Sequence, residues 1–204
     1  MRIKQTKPKT KENLLDAAER LMRAKGFWAT SVDEVCETAG VTKGCFFHYF
    51  ESKEHLGKEV LKRYCCRSAD AKQRWTAGVP EDPLKRVFRH VDFALRMAHK
   101  KGNSAGCLLG TFAQELCDTF PEIRRLCRDG FQSWSEDLKR DIAAAKKRYA
   151  PQARFDPSAL ADHFVAVLQG AQLVAKTRAD SSVVVRSLEH YRDYLKRLFK
   201  KGGA

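Results

Sequence analysis

The chain has 204 residues, 39 Lys+Arg against 25 Asp+Glu for a formal charge of +14, and 43% hydrophobic residues. That apolar share supports a packed core and excludes a disordered chain, and no run approaches the ~18 apolar residues of a membrane span. Seven cysteines, with no Cys-x-x-Cys pair and no His-Glu-x-x-His, disfavour a metal site and read as reduced thiols, mostly small core fillers.

The N-terminal stretch MRIKQTKPKTK is basic and leads into no apolar segment, so a secretory signal is not expected and a cytoplasmic protein is. The first helix is predicted from Thr10, as N-cap, to Lys25, with Gly26 after its end and Leu14, Ala17, Ala18 and Leu21 on one face. A short second helix follows Ser31 through Thr38, burying Val32, Val35 and Cys36, and Ala39-Gly40 ends it with a left-handed turn. Then comes VTKGCFFHYF (41–50), four of whose last five residues are aromatic. At 100° per residue Phe46 and Phe50 share one side and serve as core anchors, while His48 lies opposite with Phe47 and Tyr49 on its flanks. Ser52 caps a long helix containing Leu56, Val60, Leu61 and Tyr64.

Further on, Asp82-Pro83 and Asp156-Pro157 each set a capping carboxylate before a first-turn proline and mark helix starts. The loop GNSAG (102–106) opens a helix at Cys107, and Pro121 opens a long one with Ile123, Leu126 or Cys127, Trp134, Leu138 and Ile142 inward. A last helix from about Ser182 repeats Leu188, Tyr191, Leu195 and Leu198. Helix punctuation recurs throughout and strand alternation does not, so the fold class is all-α. Helix, glycine turn and short helix with a displayed polar face is the layout of a helix-turn-helix, though a helical hairpin with a surface aromatic patch fits the same layout.

The stretch GFWATSVDEVCETAGVTKGCFFHYFESKEHL (26–56) resembles the helix-turn-helix of TetR/AcrR-type transcriptional regulators. Gly26, Thr30, Ser31, Val32, Ala39, Gly40, Val41, Thr42, Gly44, Phe46, Tyr49, Phe50, Ser52, Lys53, Glu54 and Leu56 match the family pattern at its spacing. GCLLGTFAQEL (106–116) is similar to a segment of one subgroup. The resemblance implies a basic disordered arm over 1–9, a three-helix DNA-binding domain over 10–55 and a larger helical effector-binding and dimerisation domain over 56–204. It implies a homodimeric repressor on a palindromic double-stranded operator, released by a small-molecule effector, with no cofactor, metal, catalytic residue or membrane partner.

By that pattern Thr30, Ser31, Thr42, Tyr49 and Lys53 touch phosphates, while Lys43, Gly44, Cys45, Phe47 and His48 lie near base edges or the flanking sugar-phosphate. Phe47 stands where Tyr is usual and Cys45 where Ser or Thr is common, which leaves the operator sequence open. Trp75, Phe93, Met97, Cys107, Phe112, Phe131 and Trp134 are candidates for effector lining, with plain core packing as the alternative for each. Residues 1–63 carry 13 basic and 9 acidic side chains, so most of the surplus charge lies beyond them; it suits an anionic effector or a solvated surface alike.

Cys107, at a helix start where the dipole favours a thiolate, is a candidate sensor of electrophiles or oxidants. Phe164, Val167, Leu168 and Ala171 with Leu188, Tyr191, Leu195 and Leu198 are candidates for a four-helix dimer interface, or for a core within one chain. Two rivals come from other classes. A helical thiol enzyme lacks any nucleophile–base spacing. A sequence-independent nucleic-acid binder would treat all DNA alike.

Overall fold

The computed structural model describes residues 7–78, 81–99 and 106–201, and every regular element among them is an α-helix. In chain order these are α1 (Lys7–Lys25), α2 (Val32–Ala39), α3 (Lys43–Tyr49), α4 (Lys53–Thr76), α5 (Pro83–Ala98), α6 (Leu108–Leu116), α7 (Pro121–Tyr149), α8 (Pro157–Arg178) and α9 (Ser182–Lys201). Packing divides them into two compact units. One takes the described residues within Met1–Ser68 and Cys107–Arg128; the other takes those within Ala69–Gly106 and Asp129–Ala204.

The first unit begins earlier than expected. Helix α1 starts at Lys7, and Thr10 is buried inside it instead of capping it. Pro8 falls in the first turn, where a missing N–H leaves no intrahelical bond unmade, so the helix extends through the proline. The expected disordered arm over 1–9 is therefore helical from residue 7; residues 1–6 lie outside the described residues. Leu14, Ala17, Ala18 and Met22 form the buried face of α1, which packs on α2 and α6.

Helix α2 carries the expected punctuation. Ser31 Oγ accepts from the Glu34 N–H, and Glu34 in return accepts from the Ser31 N–H at 3.0 Å. These two bonds satisfy donors at the helix start that have no intrahelical partner. Gly40 closes the helix at φ +67°, a conformation that only glycine adopts without strain. Thr42 caps α3, its Oγ1 accepting from the Cys45 N–H at 3.3 Å. Phe46 and Phe50 are both buried as expected, Phe46 from within α3 and Phe50 from an extended residue just past its last turn. Ser52 Oγ accepts from the His55 N–H at the start of α4. Arg63 on α4 then donates to Glu12, Asp16 and Glu19 on one face of α1, at 2.8, 2.8 and 3.1 Å.

The second unit buries Val87 and Val91 of α5, Leu138 and Ile142 of α7, Leu160 and Phe164 of α8, and Leu188, Tyr191 and Leu195 of α9 in one cluster. Asp82 and Asp156 cap α5 and α8 as their Asp-Pro pairs predict. Helices α5 and α7 are joined by Asp141, which accepts from Arg86 at 2.6 Å and pairs with His90 at 2.9 Å.

Glu34 supplies a test of the α2 cap. Its bond with Lys25, then those from the Ser31 N–H and hydroxyl, hold its carboxyl at about 2 against an ordinary 4.5. The folded value is the depressed one, so the stabilisation is complete above pH 4.5 and disappears as pH falls toward 2. Melting temperatures of the wild type and Glu34→Gln, measured across a pH series, should differ by a constant amount at neutral pH and converge over that interval.

Candidate nucleic-acid interface

Seven of the ten expected DNA-contact residues lie on or beside α3, and their burial sorts them. Thr42, Lys43, Gly44, Phe47 and His48 are exposed; Cys45 and Tyr49 are half-buried. Phe47 presents 54% of its surface although its ring edge rests on the buried Phe46, with centroids 5.1 Å apart. Apart from its chain neighbours and the backbone of its own helix, a Cβ on Gly44 would meet no atom within 4 Å. Lys43 pairs with Asp33 of α2 at 2.9 Å, but both side chains stay well exposed, a weak contact that a phosphate can displace. The α3 surface is thus a short helix with an aromatic ring, an imidazole and an ammonium group facing solvent on a floor fixed by Phe46 and Phe50.

The other three expected contacts carry internal roles as well. Thr30 is fully buried and its hydroxyl donates to the Gly26 carbonyl at 2.7 Å, so it shapes the turn between α1 and α2 and has no surface to offer. Ser31 is exposed, but its N–H and hydroxyl are both engaged by Glu34 in the cap. Lys53 Nζ donates to the Phe27 and Thr30 carbonyls at 3.2 and 3.1 Å and sits 4.4 Å from the centre of the Phe27 ring. Burial pulls its ammonium below the ordinary lysine value, against the pull of the Glu115 carboxylate. Lys53 holds the α1–α2 turn.

The residue that sequence reasoning missed is Glu115 on α6. Its Oε2 accepts from the Phe27 and Trp28 N–H groups at 2.8 and 3.1 Å, and its backbone carbonyl faces Trp28 Nε1 at 3.3 Å. Phe112, one turn earlier, sets its ring edgewise on Phe27 at 5.8 Å. Gly26 makes the approach possible: at φ +95° its missing Cβ would stand 2.0 Å from Glu115 Oε1. Nothing local in the sequence pairs residues 87 and 88 positions apart.

The expected effector residues divide between the two units. Cys107 and Phe112 belong to the first and are buried, Cys107 as the N-cap of α6 with the Tyr64 hydroxyl 3.8 Å from its sulfur. Cys107 is thus enclosed rather than displayed, and Phe112 is a core residue against Phe27. Trp75, Phe93, Met97, Phe131 and Trp134 are half-buried in the second unit. There Trp75 neighbours Phe93 at 6.1 Å and lies under the guanidinium groups of Arg89 and Arg96, at 5.6 and 5.2 Å, and Phe131 meets Trp134 at 5.9 Å. A cleft of about 400 Å³ in the first unit is lined by none of these seven, but by Glu51 and Ser52, polar and charged side chains of α4, and Glu122, with Lys58 bridging Glu54 and Glu122. Among the described residues no group of three or more His, Cys, Asp or Glu side chains is placed to hold a metal.

The profile described as "Bacterial regulatory proteins, tetR family" matches residues 14–60, and "Tetracyclin repressor-like, C-terminal domain" matches residues 83–191. The chain belongs to the TetR family. It is a DNA-binding transcriptional regulator of that family, with an N-terminal helix-turn-helix domain and a C-terminal helical domain. The HTH-type transcriptional repressor NemR of Escherichia coli (strain K12) is 25% identical over 192 residues, covering 94% of this chain and 96% of its own. The HTH-type transcriptional repressor DhaR of Mycobacterium sp. (strain GP1) is 28% identical over 170 residues, covering 81% and 82%. Among solved structures, reduced Escherichia coli NemR superposes with a TM-score of 0.74 at 23% identity, covering 90% of this chain and 96% of that one. A TetR transcriptional regulator of Chloroflexus aurantiacus J-10-FL gives 0.81 at 21% identity, covering 93% and 96%. TetR-family regulators bind DNA as dimers and take small-molecule effectors.

Two outcomes follow from the turn geometry. Gly26→Ala places a Cβ in a left-handed conformation against Glu115, and should lower stability by about 1–3 kcal/mol in urea unfolding. Lys43 and Lys53 should separate in salt titrations of operator binding. Lys43→Ala is expected to reduce the slope of log K against log salt by about 1, as loss of a phosphate contact does. Lys53→Met should leave the slope unchanged while lowering the melting temperature.

Proposed function

We propose that the chain is a homodimeric repressor that reads a palindromic operator with α3 of each protomer. The observation that carries this reading is the outward display of Phe47 and His48 from a helix pinned by Phe46 and Phe50. His48 can donate to guanine N7 or O6, and Phe47 and Cys45 can pack on a thymine methyl. Thr42, Lys43 and Tyr49 take the phosphate role, and Gly44 lets the backbone approach the duplex. The DNA-reading domain is assigned to residues 10–55 and the effector-binding and dimerisation domain to 56–204. A regulator acting on operator DNA is assigned to the cytoplasm.

The dimer face proposed here differs from the one the apolar spacing suggests. Phe164, Ala171, Leu188, Tyr191 and Leu195 are buried within the chain's own core, with Val167, Leu168 and Leu198 packed at its margin, so most of these residues are already covered. The opposite side of α8 exposes His163, Ala166, Gly170, Leu173 and Val174, and α9 adds Tyr194, 6.1 Å from His163. Small Ala166 and Gly170 between larger apolar residues favour close packing of a second copy across a two-fold axis. The effector is assigned to the second unit, beside the half-buried Trp75, Phe93, Met97, Phe131 and Trp134. It acts by binding the low-DNA-affinity state better than the other.

The test is fluorescence anisotropy on the protein's own upstream DNA against random duplex at ~150 mM salt, where non-specific contacts are weakened. Saturable, palindrome-dependent binding is expected, with His48→Ala costing about tenfold or more at the operator and nothing on random DNA. Leu173→Asp should give a monomer in sedimentation equilibrium and abolish operator binding. Equal affinity for every sequence would leave a non-specific clamp and remove the repressor reading.

A further inference from the structure

The corner between α3 and α4 is tied by a histidine. Ser52 Oγ accepts from the His55 N–H at 3.0 Å, and His55 reaches back so that its Nδ1 accepts from the Glu51 N–H at 3.3 Å. This is a capping box drawn one residue longer, with an imidazole where Glu or Gln is usual. The same ring stands edge-on to Phe50, with centroids 5.7 Å apart and planes at 81°. Phe50 is the buried ring that ends α3, and its N–H donates to the Phe46 carbonyl at 2.9 Å. One half-buried side chain thus holds both the backbone and the anchoring ring where α3 ends.

We propose that His55 is a positioning residue for DNA recognition: its neutral imidazole sets α3 for the operator, and protonation of the ring releases α3 and weakens binding. Nδ1 accepts the Glu51 N–H only while it carries no proton, which fixes the tautomer with the proton on Nε2. A proton added to Nδ1 turns this acceptor into a donor, so two N–H groups face each other and the Glu51 N–H loses its partner. A Glu or Gln at this place of a capping box remains an acceptor near neutral pH. An imidazole is the side chain that exchanges a proton between about pH 5 and 8.

The surroundings give the protonated ring somewhere to turn. His55 lines the polar cleft of the first unit with the carboxylates of Glu51, Glu54, Glu59 and Glu122 and the ammonium groups of Lys58 and Lys62. Lys58 pairs with Glu54 and Glu122 at 2.8 and 2.7 Å, and Lys62 with Glu59 at 2.9 Å. From α1, the Lys11 ammonium lies 5.8 Å from the centre of the Phe50 ring. A ring that has gained a proton finds carboxylate acceptors in this cleft and none at the Glu51 N–H. Once it turns toward them, Phe50 loses its edge contact and α3 its hold at the C-terminal end. The proton must leave before the operator is bound, so affinity rises with pH. The link to DNA rests on the operator-binding reading; the bond between His55 and Glu51 does not.

Operator affinity of the full-length protein would be read by fluorescence anisotropy from about pH 8 to about pH 5.5 at fixed salt, for wild type, His55→Leu and His55→Gln. Wild type is expected to lose about tenfold relative to His55→Gln as pH falls, the worth of one net hydrogen bond. His48 is present in both proteins and its own titration cancels in that ratio. At the alkaline end His55→Leu should bind about tenfold more weakly than wild type, and His55→Gln, whose amide oxygen still accepts, should recover most of the loss. Parallel pH profiles for wild type and His55→Gln would overturn the proposal. A DNA-free arm follows the Glu51 amide and the His55 ring by NMR over the same range. The Glu51 amide resonance should shift with the titration of His55, and its exchange with solvent should quicken in acid. A Glu51 amide indifferent to that titration would overturn the bond as the responding element. If the amide follows His55 while no DNA sequence is preferred, the operator reading has failed and the link to DNA with it, and the His55–Glu51 bond stands.

Discussion

The helix-turn-helix depends on one carboxylate. Two consecutive backbone N–H groups, Phe27 and Trp28, point at Glu115 after α1 has ended, where no helix can accept from them. A buried or half-buried N–H left without a partner costs about 1–3 kcal/mol, and a charged acceptor serving two of them forms the stronger class of hydrogen bond. Lys53 completes the arrangement from the opposite side, donating to the Phe27 and Thr30 carbonyls. The turn is thereby saturated in both senses: its donors are taken by an anion on α6 and two of its acceptors by a cation on α4.

That saturation explains why the polar groups of the turn that were expected to face DNA are already engaged within the chain. A turn that must leave α1, pass the Glu115 carboxylate and enter α2 has few free polar groups. Thr30 spends its hydroxyl on the Gly26 carbonyl, and Ser31 is closed into its cap with Glu34. On the proposed reading, recognition is concentrated on α3, whose cap leaves its surface residues uncommitted and whose two buried rings anchor the helix. Separating the held entry turn from α3 would, on that reading, let sequence preference change at Cys45, Phe47 and His48 with little effect on the fold.

The same economy shapes the second unit. Its core uses the inward faces of α8 and α9, so the proposed interface with another copy draws on what those faces leave behind. His163, Ala166, Gly170, Leu173 and Val174 lie on the far side of α8 from Leu160, Phe164 and Ala175. Spacing alone marks Leu188, Tyr191 and Leu195 as a stripe and does not say which neighbour covers it. Tyr191 shows the difference plainly: its hydroxyl donates to the Leu160 carbonyl of its own chain at 2.8 Å.

What the sequence determined by itself was whatever short-range geometry controls. Ser31 and Gly40 bracket α2, Thr42 opens α3, and the Asp-Pro pairs open α5 and α8, because caps act through bonds spanning three or four residues. The division of VTKGCFFHYF into buried Phe46 and Phe50 and outward Phe47 and His48 follows from the helical period alone. Only the tertiary structure decided the start of α1 before Thr10, the inward turn of Thr30 and Lys53, the enclosure of Cys107, and the hold of Glu115 on the entry turn. Each of these depends on which helix lies beside which. Periodicity reports that a face is apolar or polar, and a contact between distant residues is selected by the packing of the whole unit.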